Sequence, residues 1–541
     1  MIVCLNSSFM CVITSFALGF RNIMKLLSNL FLSSCLVGLT LLSQSATAFT
    51  NLKNANQDHH LLQPVYLTNE TWTQAFLDMN QLMANEYALT QHKNINWNQL
   101  NNKYLSLITT AQQNKDKIAY YQALRGYILE LHDSHSLILP NPDDEVAARF
   151  ATDLVKQHNA GSYGLIINKV NDGSYIVSYV EPNSPAANAG ITTGAEILRW
   201  NNKPIAQAIT DTDVVWSDEY KMLCPSCSYA PPTQANLDYE RARMLVRGTI
   251  GTSRNIVWCN PGQNAKRTRT LFAVDDHNVI ANKTSLYPDP TPKSNDPKTQ
   301  IIVNWLSDDY VQLKILSLDD GDYGDPDANE KESPLYLYFA QIMQEITNKN
   351  PKGIIIDLRG NAGGDGRLAM DFAGFFTANT ASFYTKITVY KTDSKDYQSI
   401  PGWGPYYITH QPSYYAGPAV VLTDIGSVSA AEWAALSFQR IGKSILSFYP
   451  NTQGAFAGAV GLPFIIMPEN FMIMFSSGRA FDQNNQLLVE SNSKLEGGVK
   501  TDILIPFSAS TAIDINTQGK DSALDYALSY LKKNFDVKSN N

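Results

Sequence analysis

An α/β core, preceded by a helical region and a small strand-rich module, is the fold class that this 541-residue sequence predicts. Three observations carry it. Apolar residues between Thr71 and Leu131 recur at helical spacing. Between Gly161 and Ile205 they form short runs split by turn residues. From residue 298 onward, strand-like and helix-like segments alternate, which is the pattern of a mostly parallel sheet covered by helices.

The first 48 residues read as an export signal. From Met24, which we take as the probable true start, Lys25 supplies a short positive region and Leu26 to Leu42 an apolar stretch. Ala46-Thr47-Ala48 then forms a small-residue cleavage site. The chain is therefore expected to be exported, periplasmic or secreted, with no membrane span after cleavage. Net charge is −8, which gives no basic surface for nucleic acid. Cys224 and Cys227 have the spacing of a disulfide or half a metal site, with Cys259 left over. No second ligand pair follows, so neither metal nor cofactor is expected.

Residues 49–150 form the helical region, with stripes at Ala75-Phe76-x-x-Met79-x-x-Leu82-Met83, Tyr104-x-x-Leu107-Ile108 and Tyr120-Tyr121-x-x-Leu124. It ends in Leu131-His132-Asp133-Ser134-His135-Ser136. Residues 151–285 are the strand-rich module. Its strands are Tyr163–Ile166, Ser174–Val180 and Ala195–Lys203, with a short helix at Ser184–Gly190 and a returning strand around Ile256-Val257-Trp258. The Cys cluster and Pro231-Pro232 mark an insertion in it, and Pro288 to Pro297 reads as a linker.

Residues 298–541 are the α/β core. Its strands are Val311–Leu316, Gly353–Leu358 and Ala419–Thr423, and its helices Leu335–Asn348, Leu368–Phe376 and Ala430–Arg440. Gly426-Ser427-Val428-Ser429-Ala430-Ala431-Glu432 places a serine hydroxyl between a strand and a helix. There, free N–H groups of the first turn can stabilise an oxyanion. A helix-capping serine, with Glu432 completing a capping box, fits the same residues. Asp357-Leu358-Arg359-Gly360-Asn361-Ala362-Gly363-Gly364 closes a buried strand with a glycine turn able to present N–H groups to an oxygen. It lacks the Gly-Lys-Ser/Thr of a phosphate loop. Asp357 and Arg359 read as a structural ion pair beneath that turn.

The segment "SPAANAGITTGAEILRWNNKPI" resembles PDZ domains of the bacterial protease type. The resemblance implies capture of a peptide C-terminus by the loop Tyr163, Gly164, Leu165 and Ile166, through strand addition. "GIIIDLRGNAGG" followed by "VVLTDIGSVSAAE" resembles the C-terminal processing (tail-specific) serine peptidases, including their tricorn-core relatives. "LEGGVKTDI" and "GKDSALDYAL" are similar to that family's terminus. The resemblance implies a ClpP/crotonase-like mixed sheet with helices, and peptide-bond cleavage in protein substrates through an acyl-enzyme. By position it makes Ser429, not Ser427, the nucleophile. The oxyanion donors would be Ala430 with Gly363 or Gly364.

One branch of that family uses a lysine base, but the matching position here is Ala455, and Lys443 is poorly placed. The tricorn-like branch uses a histidine directly after a serine, which Ser134-His135 matches, with His132 as a nearby decoy. Imidazole has the right proton affinity for the task. Glu496 is expected to orient it, with Glu490 as the rival. A non-catalytic peptide- or ligand-binding homologue and an esterase using the same serine are the competing functions.

Overall fold

The computed structural model describes residues 64–141, 144–217, 228–280, 283, 286, 296–319, 333–378, 384–391, 396–399, 404–456 and 464–535. The expected leader, Cys224, Cys227 and most of the Pro288–Pro297 segment lie outside the described residues.

The chain opens with a two-residue strand, β1 (Val65–Tyr66). Helices α1 (Trp72–Glu86), α2 (Trp97–Asn114) and α3 (Lys117–Leu129) follow, with Thr71, Asn96 and Asp116 as their N-caps. Strand β2 (Leu137–Pro140) then leads to α4 (Glu145–Asn159). Helix α4 went unrecognised in the sequence, although Asp144 caps it and Ala147, Ala151, Leu154 and Val155 form a buried stripe.

The strand-rich module contains β3 (Leu165–Lys169), β4 (Tyr175–Val180), β5 (Glu196–Trp200), α5 (Gln234–Leu245), β6 (Ser253–Cys259) and β7 (Arg267–Phe272). Its sheet runs β7-β6-β5-β4-β3. Thus the segment around Ile256 does return to the sheet, pairing antiparallel with β5. Trp200, Trp258 and Tyr163 fill its core.

The core begins with β8 (Ile301–Ser307), β9 (Tyr310–Ile315), α6 (Pro334–Lys349), β10 (Gly353–Asp357) and α7 (Gly366–Gly374). It continues through β11 (Ala419–Leu422), α8 (Ala430–Arg440), β12 (Ser444–Ser447), β13 (Phe464–Ile466) and β14 (Phe471–Met474). Strand β15 (Ile503–Leu504) and helices α9 (Ala509–Gln518) and α10 (Ser522–Phe535) complete it.

The main sheet runs β8-β9-β10-β11-β12-β15. Strands β9 to β15 are parallel, and β8 is an antiparallel edge. The central strands are apolar on both faces, as a sheet covered on both sides requires. Ile354, Ile356 and Val421 face a cluster built with α6, α7 and α8. Ile355, Val420 and Leu422 face α10 through Ala523, Ala527 and Leu531.

A second sheet joins the N-terminal helical region to the α/β core. Its order is β1, β13, β14, β2 and then Ser228–Tyr229. Ile138, Ile465, Phe471 and Ile473 bury against α1, α2 and α3 in one core. This sheet carries the His135 turn to the α/β core, because β2 pairs directly with β14, Leu137 opposite Met474.

Candidate active site

The Ser429 side is built by two parallel strands ending together. Asp357 of β10 pairs with Leu422 of β11, so the turns beyond them meet. Ser427 Oγ donates to Leu358 O (2.8 Å), Gly360 N to Asp424 Oδ1 (3.0 Å) and Val428 N to Asn361 O (3.1 Å). Ser427 is thereby buried and committed, whereas Ser429 remains half-buried.

Ser429 has φ 58° and ψ −124°, outside the regions open to a side-chain-bearing residue. Such a conformation costs on the order of 1–3 kcal/mol and persists only where its surroundings enforce it. Here Ser429 N donates to Ala455 O (3.0 Å), and Ser429 O accepts from Glu432 N (2.9 Å) and Trp433 N (3.2 Å). The hydroxyl makes no capping bond. The capping-box alternative fails at its other end too. Glu432 turns away, accepting from Thr452 Oγ1, Gly454 N (2.7 Å) and Ala455 N (2.9 Å). Burial pushes this carboxyl up to about 7, against the hydrogen bonds that it accepts.

Gly363 lies against the nucleophile. A Cβ there would stand 2.8 Å from Ser429 Cβ and 2.9 Å from Ala430 N, and its φ is 102°. Its N–H donates to Asn361 Oδ1 (2.7 Å), so it serves the turn rather than a substrate oxygen. Gly364 is fixed by Leu318, whose N donates to Gly363 O (2.8 Å) and whose O accepts from Asp365 N (2.9 Å). The N–H groups of Gly364 and Ala430 have no partner among the described residues. Beneath the turn, Arg359 is paired as expected with Asp357 (Nε–Oδ1 2.8 Å). It also reaches Asp521 on the other side (Nη1–Oδ1 2.8 Å).

The His135 side is a tight turn between α3 and β2. Asp133 is its hub: Oδ1 accepts from His135 N (3.0 Å), and Oδ2 from Tyr87 OH (3.1 Å), Ser136 Oγ (2.8 Å) and Ser476 Oγ (2.6 Å). His135 is 9% exposed, and its buried Nδ1 has no hydrogen-bond partner. Burial lowers its proton affinity, with the Asp133 charge opposing. His132 takes φ 46° and points its Nδ1 at Pro231 O (3.1 Å), away from this arrangement.

One loop, Thr452 to Phe456, connects the two sides. Ser134 Oγ donates to Gln453 Oε1 (2.7 Å), Gln453 N to Ser427 O (3.1 Å), and Ala455 O accepts from Ser429 N. The same loop receives Glu490, whose Oε1 accepts from Phe456 N (3.0 Å). Ser429, Ser134 beside His135, and Glu490 thus each bond to these five residues, although no hydrogen bond joins His135 to Ser429. Glu496 is not gathered there. It is exposed, and its carboxylate accepts from Asn492 Nδ2 (3.2 Å) in a surface turn, while Glu490 is 5% exposed. Counting from the family terminus favoured Glu496; burial favours Glu490.

Ala455 occupies the lysine position with a buried methyl, and only its backbone serves the nucleophile. Lys443 lies past the far end of α8, whose 11 residues span about 16 Å by helix rise from the end that carries Ser429. Among the described residues no His, Cys, Asp or Glu cluster could hold a metal.

The loop expected to capture a peptide C-terminus is largely closed. Gly164 N donates to Ser162 Oγ (3.0 Å), and Gly164 O accepts from Glu181 N (2.9 Å) and Ser184 Oγ (3.2 Å). Tyr163 N reaches Val246 O (3.4 Å), and the Tyr163 and Leu165 side chains are buried in the module core. Ile166 pairs with Tyr179 of β4, while the other edge of β3 carries no strand among the described residues.

Residues 333–505 match the model of Peptidase family S41. The carboxy-terminal processing protease CtpB of Bacillus subtilis (strain 168) is 23% identical over 320 residues, 59% of this chain. The match spans about half of that relative, 51% of its length. Two structures of CPAF share the fold. Mature CPAF complexed with lactacystin has TM-score 0.56 and 14% identity over 87% of this chain and 99% of that one. A serine-to-alanine mutant of CPAF has TM-score 0.59 and 15% identity, over 87% and 98%. Residues 333–505 are thus similar to the peptidase core of family S41, and the CPAF structures share the fold.

Proposed function

We propose that this chain is an exported serine endopeptidase in which Ser429 attacks the scissile carbonyl and His135 takes its proton. The observation that supports this most is Ser429 itself: an uncapped hydroxyl, held at positive φ on a helix N-terminus and pressed against Gly363. A serine kept strained and free of its ordinary capping role is placed for chemistry.

In this reading the carbonyl oxygen becomes an oxyanion received by the N–H groups of Gly364 and Ala430. Collapse expels the amine, which receives the proton from His135. Water, deprotonated by the same imidazole, then releases the acyl group from Ser429. Glu490 takes the orienting role in place of Glu496, its buried carboxylate stabilising the imidazolium. In this reading the bond between His135 and Ser429 forms only when substrate is bound, as catalytic hydrogen bonds often tighten in the Michaelis complex.

The strand-rich module is proposed to guide protein tails by strand addition along the outer edge of β3, beside α5, with Ile166 nearer the incoming chain than Gly164. Export rests on the leader, and N-terminal sequencing of the mature protein should start at Phe49.

The test is cleavage of an unstructured protein together with fluorophosphonate labelling, for wild type, Ser429→Ala and His135→Ala. Labelling and cleavage lost in both variants support the reading. A wild type that neither labels nor cleaves would make the chain a binding homologue. Labelling without proteolysis would make it an esterase.

A further inference from the structure

Between the His135 turn and the Glu490 segment lies a buried ammonium that the peptidase chemistry has not used. Lys93 follows α1 in a turn closed by its own N–H to Leu89 O (2.8 Å), and it is 5% exposed. Its Nζ donates to His132 O (2.8 Å) on one side, and to Ser491 O (2.9 Å) and Ser491 Oγ (2.6 Å) on the other. All three donor positions are therefore filled, two residues' worth of acceptors across a sequence separation of 359.

His132 is three residues before His135, and Ser491 directly follows Glu490. The neighbouring His92 reaches the same segment through Nε2, 3.1 Å from Glu490 O. Resting on the catalytic reading above, we propose that Lys93 is a positioning residue: its ammonium clamps the turn bearing His135 to the segment bearing Glu490, and supplies the positive charge between two buried carboxylates, Asp133 and Glu490. A bridge made of carbonyl acceptors alone would need only a neutral donor. A cation is called for because two buried carboxylates without one would be strongly disfavoured.

The charged and titratable groups around Lys93 are Tyr87, His92, His132, Asp133, His135 and Glu490, with Glu130 and Arg241 acting on His132 from beyond. Burial lowers Lys93, and the attraction of Asp133 and Glu490 opposes that. Burial likewise pushes Asp133 up, but Lys93, His135 and the surrounding hydroxyls outweigh it and hold the carboxyl below its usual range. Removing the Lys93 charge leaves His135 beside less compensated carboxylates, which favours its protonated form.

The test compares wild type with Lys93→Met and Lys93→Arg, reading the ring titration of His135 by histidine-selective NMR alongside kcat and KM. Met retains length and bulk without charge. Lys93→Met is expected to raise the midpoint of the His135 titration by on the order of one pH unit. It should also lower kcat roughly 10-fold or more at nearly constant KM, as small displacements of a base do. Lys93→Arg should keep the midpoint at the wild-type value while losing rate. A folded Lys93→Met protein with unmoved His135 titration would overturn the proposal, because a merely structural lysine leaves that midpoint alone.

Should Lys93→Met fail to fold, Ser491→Ala removes one acceptor only. The clamp then predicts reduced kcat with the midpoint unchanged, and undiminished kcat overturns it. The ring titration is read without turnover. A moved midpoint with an active Ser429→Ala enzyme would therefore support the clamp and sink the catalytic reading.

Discussion

The two halves of the candidate site are held in opposite ways. The nucleophile side is a local construction: Ser429 sits within 72 residues of Asp357, on adjacent parallel strands, and its turn is closed by Ser427, Asp424 and Asn361. The base side has almost no local support. Asp133 fixes the His135 backbone, but Tyr87, Ser476, Lys93, Gln453 and β14 hold the turn from three distant segments. The first side is shaped by backbone turns in which Ser429, Gly363 and Gly364 all take positive φ. Both sides bury charge: Asp357, Arg359 and Glu432 on the first, and Lys93, Asp133 and Glu490 on the second. One side depends on local backbone geometry and the other on long-range closure, so different changes should break each.

The largest effect belongs to the nucleophile. Ser429→Ala should lower kcat by roughly 10⁴–10⁶-fold with the fold intact, measured by turnover and thermal melting. Next is the glycine against it. Gly363→Ala places a methyl 2.8 Å from Ser429 Cβ at φ 102°, and should cost roughly 10²–10³-fold in kcat, comparable to loss of an oxyanion donor. Native-like secondary structure by circular dichroism would locate that loss in the site.

On the base side, Glu490→Gln keeps the shape and removes the charge. It should reduce kcat by about 10²-fold or more, while Glu496→Ala should leave kcat within about twofold. The reverse order would restore Glu496 and break the comparison, since the third member would then stand in an exposed turn.

The smallest effect concerns pH and the loop that joins the halves. Glu432 is raised from 4.5 to about 7 when folded, so its folded pKa exceeds its unfolded one. Its contribution is fully present below pH 4.5 and is lost as pH rises through about 7, amounting to on the order of 3 kcal/mol. Glu432→Gln lacks this dependence. The stability gap between wild type and Glu432→Gln should therefore narrow between pH 5 and 8, read from denaturant midpoints at each pH. A constant gap would mean that Glu432 does not titrate in this range.

What could be read from the sequence follows the same division. The parallel core was legible because Gly353–Asp357 and Ala419–Leu422 are short apolar runs followed by glycine-bearing turns and helices. The local pairing of Asp357 with Arg359 was legible for that reason. Whether Ser429 capped its helix was not, since a capping box and a nucleophile turn use the same residue types; only the backbone angles separate them. The second sheet was invisible because β2 meets β14 across more than 330 residues, and neither strand alternates clearly. That Glu490 is buried and Glu496 exposed was not legible, because spacing along the chain carries no information about burial. The neighbours of Glu490, Phe456 and Lys93, supply that information only after folding. The helix α4 could have been found from its Asp144 cap and its amphipathic stripe.

The most direct test of the central claim, that Ser429 is activated by His135, is the rate of fluorophosphonate labelling as a function of pH in wild type and His135→Ala. Burial lowers His135 below its ordinary value of 6.5, so the imidazole is neutral and able to accept a proton into mildly acidic solution. We predict a wild-type rate that rises with pH to a plateau, with a midpoint below 6.5. His135→Ala should remove that limb and label roughly 10²–10⁴-fold more slowly. A His135→Ala protein that labels at the wild-type rate with the wild-type profile would contradict the account.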